Sequence, residues 1–348
     1  MQNDEHDHFQ FLAKGVDRIL RTVVGDEEST KKLDKFRLDV GLKGFESENL
    51  ERRLRGLKMI RGAVRRGMIA NDKERGAFSA FMLKALGPKE DQKKKLKPID
   101  PDFLVRWLTE NSVVERLFNE KSHPEEIKQS ILIPKFLASH QRFRGEDLDS
   151  LWKLSLGKHE SVQHTIFEAL VDLTQDLPAH LVDRLYEHIS SVPEEEIDLP
   201  TLGFISRFSA VAMEKDTTNT KSYGLGVLYR LGVLAHVANG QEGLNEKIVT
   251  TAFDHLVELL SSDACSGRRI GYAKQCAERL AKHEAVPQTV ELLHRVVNMF
   301  PAKKRRGKES SGSLIELLEN QHQLSDKVVD DLRAYKESVK DVDRKLLD

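Results

Sequence analysis

The sequence predicts an all-α fold built from stacked helix pairs, and three observations carry that expectation. Apolar residues recur at three- and four-residue spacing in one segment after another, the period of a helix face and not of a strand. The segments run for about ten to eighteen residues and are closed by Gly, Pro or polar residues, so the helices are short and many. No Asn-Gly or Asp-Gly turn joins two alternating runs, which leaves β-hairpins without a signal. Aromatic residues make up only 6% of the chain and there are 10 prolines, too few of both for a β-sandwich.

Residues 1–30 open on a polar, acidic stretch and pass into an amphipathic piece with Phe9, Leu12, Val16, Ile19, Leu20 and Val23 on one face. Residues 33–45 repeat the pattern through Leu33, Phe36, Leu38, Val40 and Leu42. The run 47–66, SENLERRLRGLKMIRGAVRR, sets Leu50, Leu54, Leu57, Ile60 and Val64 at helical spacing. Ser47 is its expected cap, and its outer face is dense in arginine. A short helix over 72–86 is expected next, weakened by Gly76. Residues 87–101, GPKEDQKKKLKPIDP, read as a lysine-rich connection.

The pattern resumes more strongly at DFLVRWLTENSVVERLF. Pro124 opens the following helix, at a position where its missing N–H costs nothing. Pro134 falls inside the same apolar pattern and should kink or divide it. Further helices follow from Gly145 to Gly157, over HESVQHTIFEALVDLTQDL, PAHLVDRLYEHISSV and DLPTLGFISRFSAVAME. After a polar loop at 215–222 come YGLGVLYRLGVLAHVA, EKIVTTAFDHLVELLSS, RRIGYAKQCAERLAKH and VPQTVELLHRVVNMF. Residues 301–313 read as a basic flexible linker and 314–348 as a C-terminal helical tail.

Over 31–300 the helix pairs recur roughly every 35–45 residues, the period of armadillo and HEAT repeats. The expected fold is therefore an armadillo/HEAT-like α-solenoid. One helix pair leaves apolar surface wet, and the next pair covers it, so stability grows through neighbour contacts. Burying each Leu or Phe contributes ~1.5–3 kcal/mol, which offsets ordering entropy only when many are buried together. The product is an extended surface suited to holding other proteins.

Charged residues reach 32%, against about 25% in an average protein, yet they balance to a net charge of -1. The chain as a whole is therefore not an electrostatic binder of nucleic acid or acidic membranes. No stretch approaches the ~18 consecutive apolar residues of a membrane span. The N-terminus, MQNDEHDHFQFLAKG, lacks the basic and apolar regions of a secretory signal. Two cysteines in 348 residues suggest a reducing compartment rather than a disulfide framework. The cytoplasm is the expected location, with the nucleus as a second destination.

Candidate chemistry is sparse. Cys265 sits beside Arg268 and Arg269, which would favour its thiolate, though reactive thiols are rare and a structural role is the stronger reading. Cys276 lies on an apolar stripe with Tyr272 and Leu280, and Ile270 nearby, and is expected to be buried. Neither stands in a thiol-protease signature. Of thirteen histidines, His6 and His8 cluster with Asp4 and Asp7, but a structural zinc site needs four ordered ligands. His159 and His164 do not share a face as an HExxH pair would, and His283 and His294 are expected on different helices.

Gly224, Gly226 and Gly232 fit no dinucleotide fingerprint and instead permit close helix packing. Glu194, Glu195 and Glu196 read as a solvated loop or helix start. The basic runs Lys93–Lys95 with Lys97, and Lys303-Lys304-Arg305-Arg306 with Lys308, lack interleaved aromatics, which disfavours a nucleic-acid stacking platform. The second resembles a nuclear import signal. No residue is singled out as catalytic, cofactor-binding, metal-binding or partner-binding, and no cofactor is expected.

Read in order, FLVRWLTENSVVERLF, HPEEIKQSILIPKFLA, EDLDSLWKLSLGKHESVQHTIFEALVDL, HLVDRLYEHISSVPEEEID and TLGFISRF (103–208) resemble one known family. They are similar to the armadillo-like region of very large ubiquitin-specific proteases of the fat-facets type. Leu148-Asp149-Ser150-Leu151-Trp152, followed by Gly157-Lys158-His159-Glu160-Ser161, carries most of the likeness. FRLDVGLKGFESENLERRLRGLKMI (36–60) fits upstream, and 223–300 fits more loosely. In that family the peptidase is a separate segment with a Cys box and a His box. Neither box stands in this sequence, so no catalytic residue carries over. The resemblance implies a non-catalytic scaffold of a deubiquitinase that binds ubiquitinated substrates or regulators. The alternatives are a free-standing armadillo/HEAT-type adaptor in trafficking or transport, and a nucleic-acid-associated helical repeat. The bland reading of the Gly157–Ser161 motif is that His159 and Glu160 cap a helix while Trp152 anchors the core.

Overall fold

The computed structural model describes residues 22–75, 98–119, 121–157, 159–216, 221–234, 245–301, 310–323 and 325–330, with a few further positions near both ends. Among the described residues there is no strand. The chain divides into two compact units, Met1–Leu181 and Val182–Asp348.

The first unit opens with α1 (Asp26–Phe45) and α2 (Leu50–Arg75). Leu33, Leu38, Leu42 and Phe45 of α1 are buried, as are Leu57, Ile60, Ala63 and Val64 of α2. The two backbones meet at glycines: a Cβ on Gly56 would stand 2.3 Å from the Gly41 carbonyl oxygen. Asn49, not Ser47, caps α2, its Oδ1 accepting from the Arg52 N–H at 3.2 Å. Ser47 lies too far upstream of Leu50 and instead accepts from the Asn49 N–H at 3.3 Å, shaping the turn. The helix also runs on to Arg75, because nothing between 67 and 75 removes a backbone donor. A separate helix therefore does not begin at 72, and positions 76–97 lie outside the described residues.

Next come α3 (Pro101–Glu110) and α4 (Val113–Leu117). Asp100 caps α3 through the Asp102 N–H at 3.1 Å, and the indole of Trp107 donates to Asp39 Oδ1 of α1 at 2.9 Å. The apolar run around Pro134 is divided as expected, into α5 (Pro124–Ser130) and α6 (Leu132–Ser139). Pro134 cannot donate to the Ser130 carbonyl four residues back, and its ring crowds that oxygen, so the ladder breaks there. His123 caps α5 in a reciprocal box: its Nδ1 accepts from the Glu125 N–H at 3.2 Å, and its own N–H donates to Glu126 Oε2 at 2.8 Å.

The unit continues with α7 (Gly145–Ser155) and α8 (Glu160–Thr174). Helix α2 packs on α3, α5 and α6, and α8 packs on α5, α6 and α7. The core so formed holds Leu104, Leu108, Ile127, Ile133, Phe136 and Phe167, all fully buried.

The second unit begins within α9 (Ala179–Ser190) and continues with α10 (Leu199–Lys215). Asp198 caps α10 by accepting from the Thr201 N–H at 2.8 Å and the Thr201 hydroxyl at 2.5 Å. A single helix is expected from 223, but α11 (Leu225–Tyr229) passes directly into a π-helical turn at Arg230–Leu234. Such a turn inserts a residue into the helical ladder and is rare. Here Gly232 lies against α12 (Glu246–Ser261), where an added Cβ would stand 2.7 Å from the Phe253 nitrogen.

A 3₁₀ turn at Asp263–Arg268 leads to α13 (Arg269–Leu280), α14 (Val286–Asn298) and α15 (Ser311–His322). Helix α15 is capped by Ser310, whose hydroxyl accepts from the Ser313 N–H at 3.2 Å. Helix α12 packs on α10, α11 and α14, while α15 packs on α13 and α14. Phe208, Leu228, Leu256, Leu280, Leu292 and Leu314 form the buried centre.

Candidate protein-binding surface

Both thiols are buried and free of disulfides. The sulfur of Cys265 points at the thioether of Met213, 3.2 Å away. Burial pushes the Cys265 thiol up, against weaker downward pulls from the Ser262 hydroxyl and from Arg268 and Arg269. The arginines do pull toward the thiolate, but burial outweighs them, and the structural reading of Cys265 stands. Arg268 is committed to Asp216 and to the carbonyls of Lys221 and Ala264. Arg269 donates to the carbonyls of Leu260, Ser261 and Ser262.

Cys276 lies, as its stripe predicts, in the buried face of α13 with Tyr272 and Leu280. Burial pushes its pKa from 9.0 up to about 12. Folding therefore favours the neutral thiol. The corresponding stability is complete below 9.0 and is lost as pH rises toward 12. A thiol reagent at pH 8 is expected to label neither cysteine in the native chain and both in denaturant. Rapid labelling of Cys265 before unfolding would contradict this burial.

The other singled-out residues take structural places. His159 caps α8, its Nδ1 accepting from the Ser161 N–H at 3.3 Å, while Trp152 is buried with its ring 6.3 Å from Phe167. Gly157 has φ +64, a conformation that strains any residue with a Cβ. His164 is on the exposed side of α8, 3.7 Å from Glu168. His283 sits in the turn after α13 rather than on a helix, and His294 lies on α14 beside Asn298 at 3.1 Å.

Gly224 and Gly232 do allow close packing, the former against Ser209 and Ile205, but Gly226 has nothing within 4 Å. Glu194–Glu196 form a 3₁₀ turn, and Glu194 accepts from Arg230 Nε at 3.0 Å. No group of three or more His, Cys, Asp or Glu side chains able to hold a metal occurs among the described residues, and no helix there is long and apolar enough to cross a membrane. The 4–8 cluster and both basic runs lie outside the described residues.

Among the remaining residues, several arginines are answered by carboxylates and others are not. On α2, Arg53 pairs with the buried carboxylate of Glu126 and donates to the Glu48 carbonyl at 2.9 Å. Arg66 reaches the buried Asp34 at 2.6 Å, and Arg55 reaches Glu51 at 3.3 Å. In the second unit Arg268 is more deeply committed. Its Nη2 donates to Asp216 Oδ2 at 2.7 Å and its Nε to the Lys221 carbonyl at 2.9 Å, with both charged side chains under a tenth exposed. Arg53, Arg66 and Arg268 tie distant segments together, whereas the exposed Arg55–Glu51 pair adds little.

Arg61 and Arg65 are different. Both are half-buried on consecutive turns of α2, and neither has a salt bridge or hydrogen bond among the described residues. The Nε of Arg65 is shielded from solvent without a partner. Burial, and then the charge of Arg65, lower the pKa of Arg61, while Glu125 pulls the other way. The sequence marks this face as rich in arginine but cannot separate the paired residues from the unpaired ones. The signal that separates them is the position of Asp34 and Glu126 on other helices.

Comparison with known proteins places these features in a family context. The family model described as UBP24/USP9X/USP9Y ARM repeat matches residues 31–346. The chain is 19% identical over 346 residues to the probable ubiquitin carboxyl-terminal hydrolase FAF of Drosophila melanogaster, covering 96% of this chain and 12% of that protein. It is 28% identical over 118 residues to the ubiquitin carboxyl-terminal hydrolase puf of Drosophila melanogaster, covering 34% of this chain and 3% of that protein. With human ubiquitin carboxyl-terminal hydrolase 34 it shares 29% identity over 182 residues, 52% of this chain and 5% of the relative. The chain thus spans only a small part of each of these relatives. What the family model covers is the ARM repeat region rather than a catalytic domain.

Proposed function

This chain belongs to the UBP24/USP9X/USP9Y ARM repeat family, and from that premise we propose that it is the scaffold region of a deubiquitinating enzyme, holding protein partners or substrates of the ubiquitin pathway. The observation that carries this reading is the family match running through the helical repeats from 31 to 346. Two thiols that burial keeps neutral support a binding role over a catalytic one, since the thiolate is the nucleophile. Stacked short helices suit that role physically. Their cores are satisfied by neighbours, so their outward faces vary without cost to the fold. Two unpaired thiols also support a reducing, cytoplasmic location.

The purified chain is expected to leave a ubiquitin–fluorophore conjugate intact while enriching ubiquitinated proteins or ubiquitin-pathway components from cell extract, read by mass spectrometry against an empty resin. Hydrolysis that disappears on mutating Cys265 or Cys276 would overturn the non-catalytic part. Recovery no different from the empty resin would overturn the binding part.

A further inference from the structure

We propose that Arg61 and Arg65 form the anion-recognising centre of a docking surface on α2 for an acidic segment of a partner protein. This deepens the scaffold reading by naming the partner's chemistry and the surface that meets it.

Two guanidinium groups one helical turn apart repel each other, and partial burial makes each charge more costly than in water. Elsewhere on α2 the half-buried Arg53 and Arg66 answer that cost with buried carboxylates. Arg61 and Arg65 have no such answer among the described residues, and the Arg65 Nε is an orphaned, solvent-shielded donor. Glu125 lies near enough to offset part of the charge on Arg61 but makes no ion pair with it. A buried donor without an acceptor is rare in a folded protein, and a turn of the half-buried Arg65 side chain outward brings it to an incoming acceptor. Carboxylates suit the fork of a guanidinium, which can donate two parallel hydrogen bonds to them.

The surroundings favour a protein segment over nucleic acid. Leu54 and Met68, seven residues to either side of Arg61, share its helix face and are half-buried. An acidic peptide with apolar side chains would cover both kinds of surface. No aromatic residue lies on this face of α2 to stack a base.

The test uses the full chain and a short fluorescent peptide of glutamate and leucine, with a glutamine-and-leucine twin, read by anisotropy across salt. The wild-type chain is expected to bind the glutamate peptide and not the twin, with affinity falling as salt rises. R61Q/R65Q should weaken binding by ~10-fold or more, as loss of charge-assisted hydrogen bonds requires. R61K/R65K should fall between the two, because lysine keeps charge without the fork. R52Q, an exposed arginine on the same helix, should bind like wild type. Should R61Q/R65Q lose helical signal by circular dichroism, the lysine variant and R52Q decide the matter.

Equal weakening by R52Q, equal binding of the twin, or unchanged binding by R61Q/R65Q would overturn the proposal. So would an oligonucleotide that outcompetes the peptide at the same residues. Peptide binding that depends on Arg61 and Arg65 without enrichment of ubiquitin-pathway proteins would leave this surface standing and remove the scaffold reading. The reverse result would remove this surface alone.

Discussion

Replacing Gly56 with alanine is expected to destabilise the first unit by about 3 kcal/mol or more, at the upper end of overpacking costs. The sign runs against helix propensity, which favours alanine over glycine by roughly 0.5–1 kcal/mol in a helix interior. The reason is the α1–α2 contact. The new Cβ would stand 2.3 Å from the Gly41 carbonyl oxygen, 2.4 Å from the Phe45 nitrogen and 2.9 Å from the Gly44 carbonyl carbon. All three are backbone atoms, so no rotamer change relieves the clash and the helices must part. Parting them opens the contact that buries Leu38, Leu42, Leu57 and Ile60. Gly62, on the same helix with nothing within 4 Å of an added Cβ, is the internal control. Its alanine variant should be neutral or gain up to about 1 kcal/mol. Denaturant midpoints, with hydrogen exchange over 26–45, separate the two. Similar shifts in both variants would refute the close-approach argument.

The second large effect is expected at Arg268. Replacing it with methionine should cost about 3–5 kcal/mol, the range for breaking a buried ion pair from one side. Its guanidinium joins three pieces of chain: Asp216 at the end of α10, the Lys221 carbonyl, and the Ala264 carbonyl in the 3₁₀ turn. Methionine fills much of the volume but removes the positive charge facing the Asp216 carboxylate, which is under a tenth exposed, and the guanidinium donors to the two carbonyls. The Lys221 N–H, 3.0 Å from Asp216, cannot replace the lost charge. A double variant that also turns Asp216 into leucine should cost clearly less than the sum of the two single changes, since both charges are then gone. Thermal denaturation of the four proteins measures the coupling. Additive losses would mean that the pair contributes nothing as a pair.

The helical character of nearly every described segment was legible in the sequence, because a 3.6-residue apolar period is a local property of the chain. Pro124 and Pro134 likewise act through their own backbone, so the opening of α5 and the break before α6 could be placed in advance. The family, too, was readable from the order of helices over 103–208. Local reasoning failed where two competing caps stood close together. Ser47 and Asn49 are both good capping residues, and it is Asn49, adjacent to Leu50, whose side chain accepts from the first turn.

Helix positions and the break at Pro134 follow from apolar periodicity and proline stereochemistry, which act along the chain and can be read from residue order alone. Which charges are answered depends on the packing of distant helices. Arg53, Arg66 and Arg268 find carboxylates 73, 32 and 52 residues away, while Arg61 and Arg65 find none among the described residues. The same long-range approach buried Cys265 beside Met213, so that desolvation outweighs the pull of its neighbouring arginines. Desolvation and ion pairing depend on distance in space, and distance in space is not written in the spacing of residues.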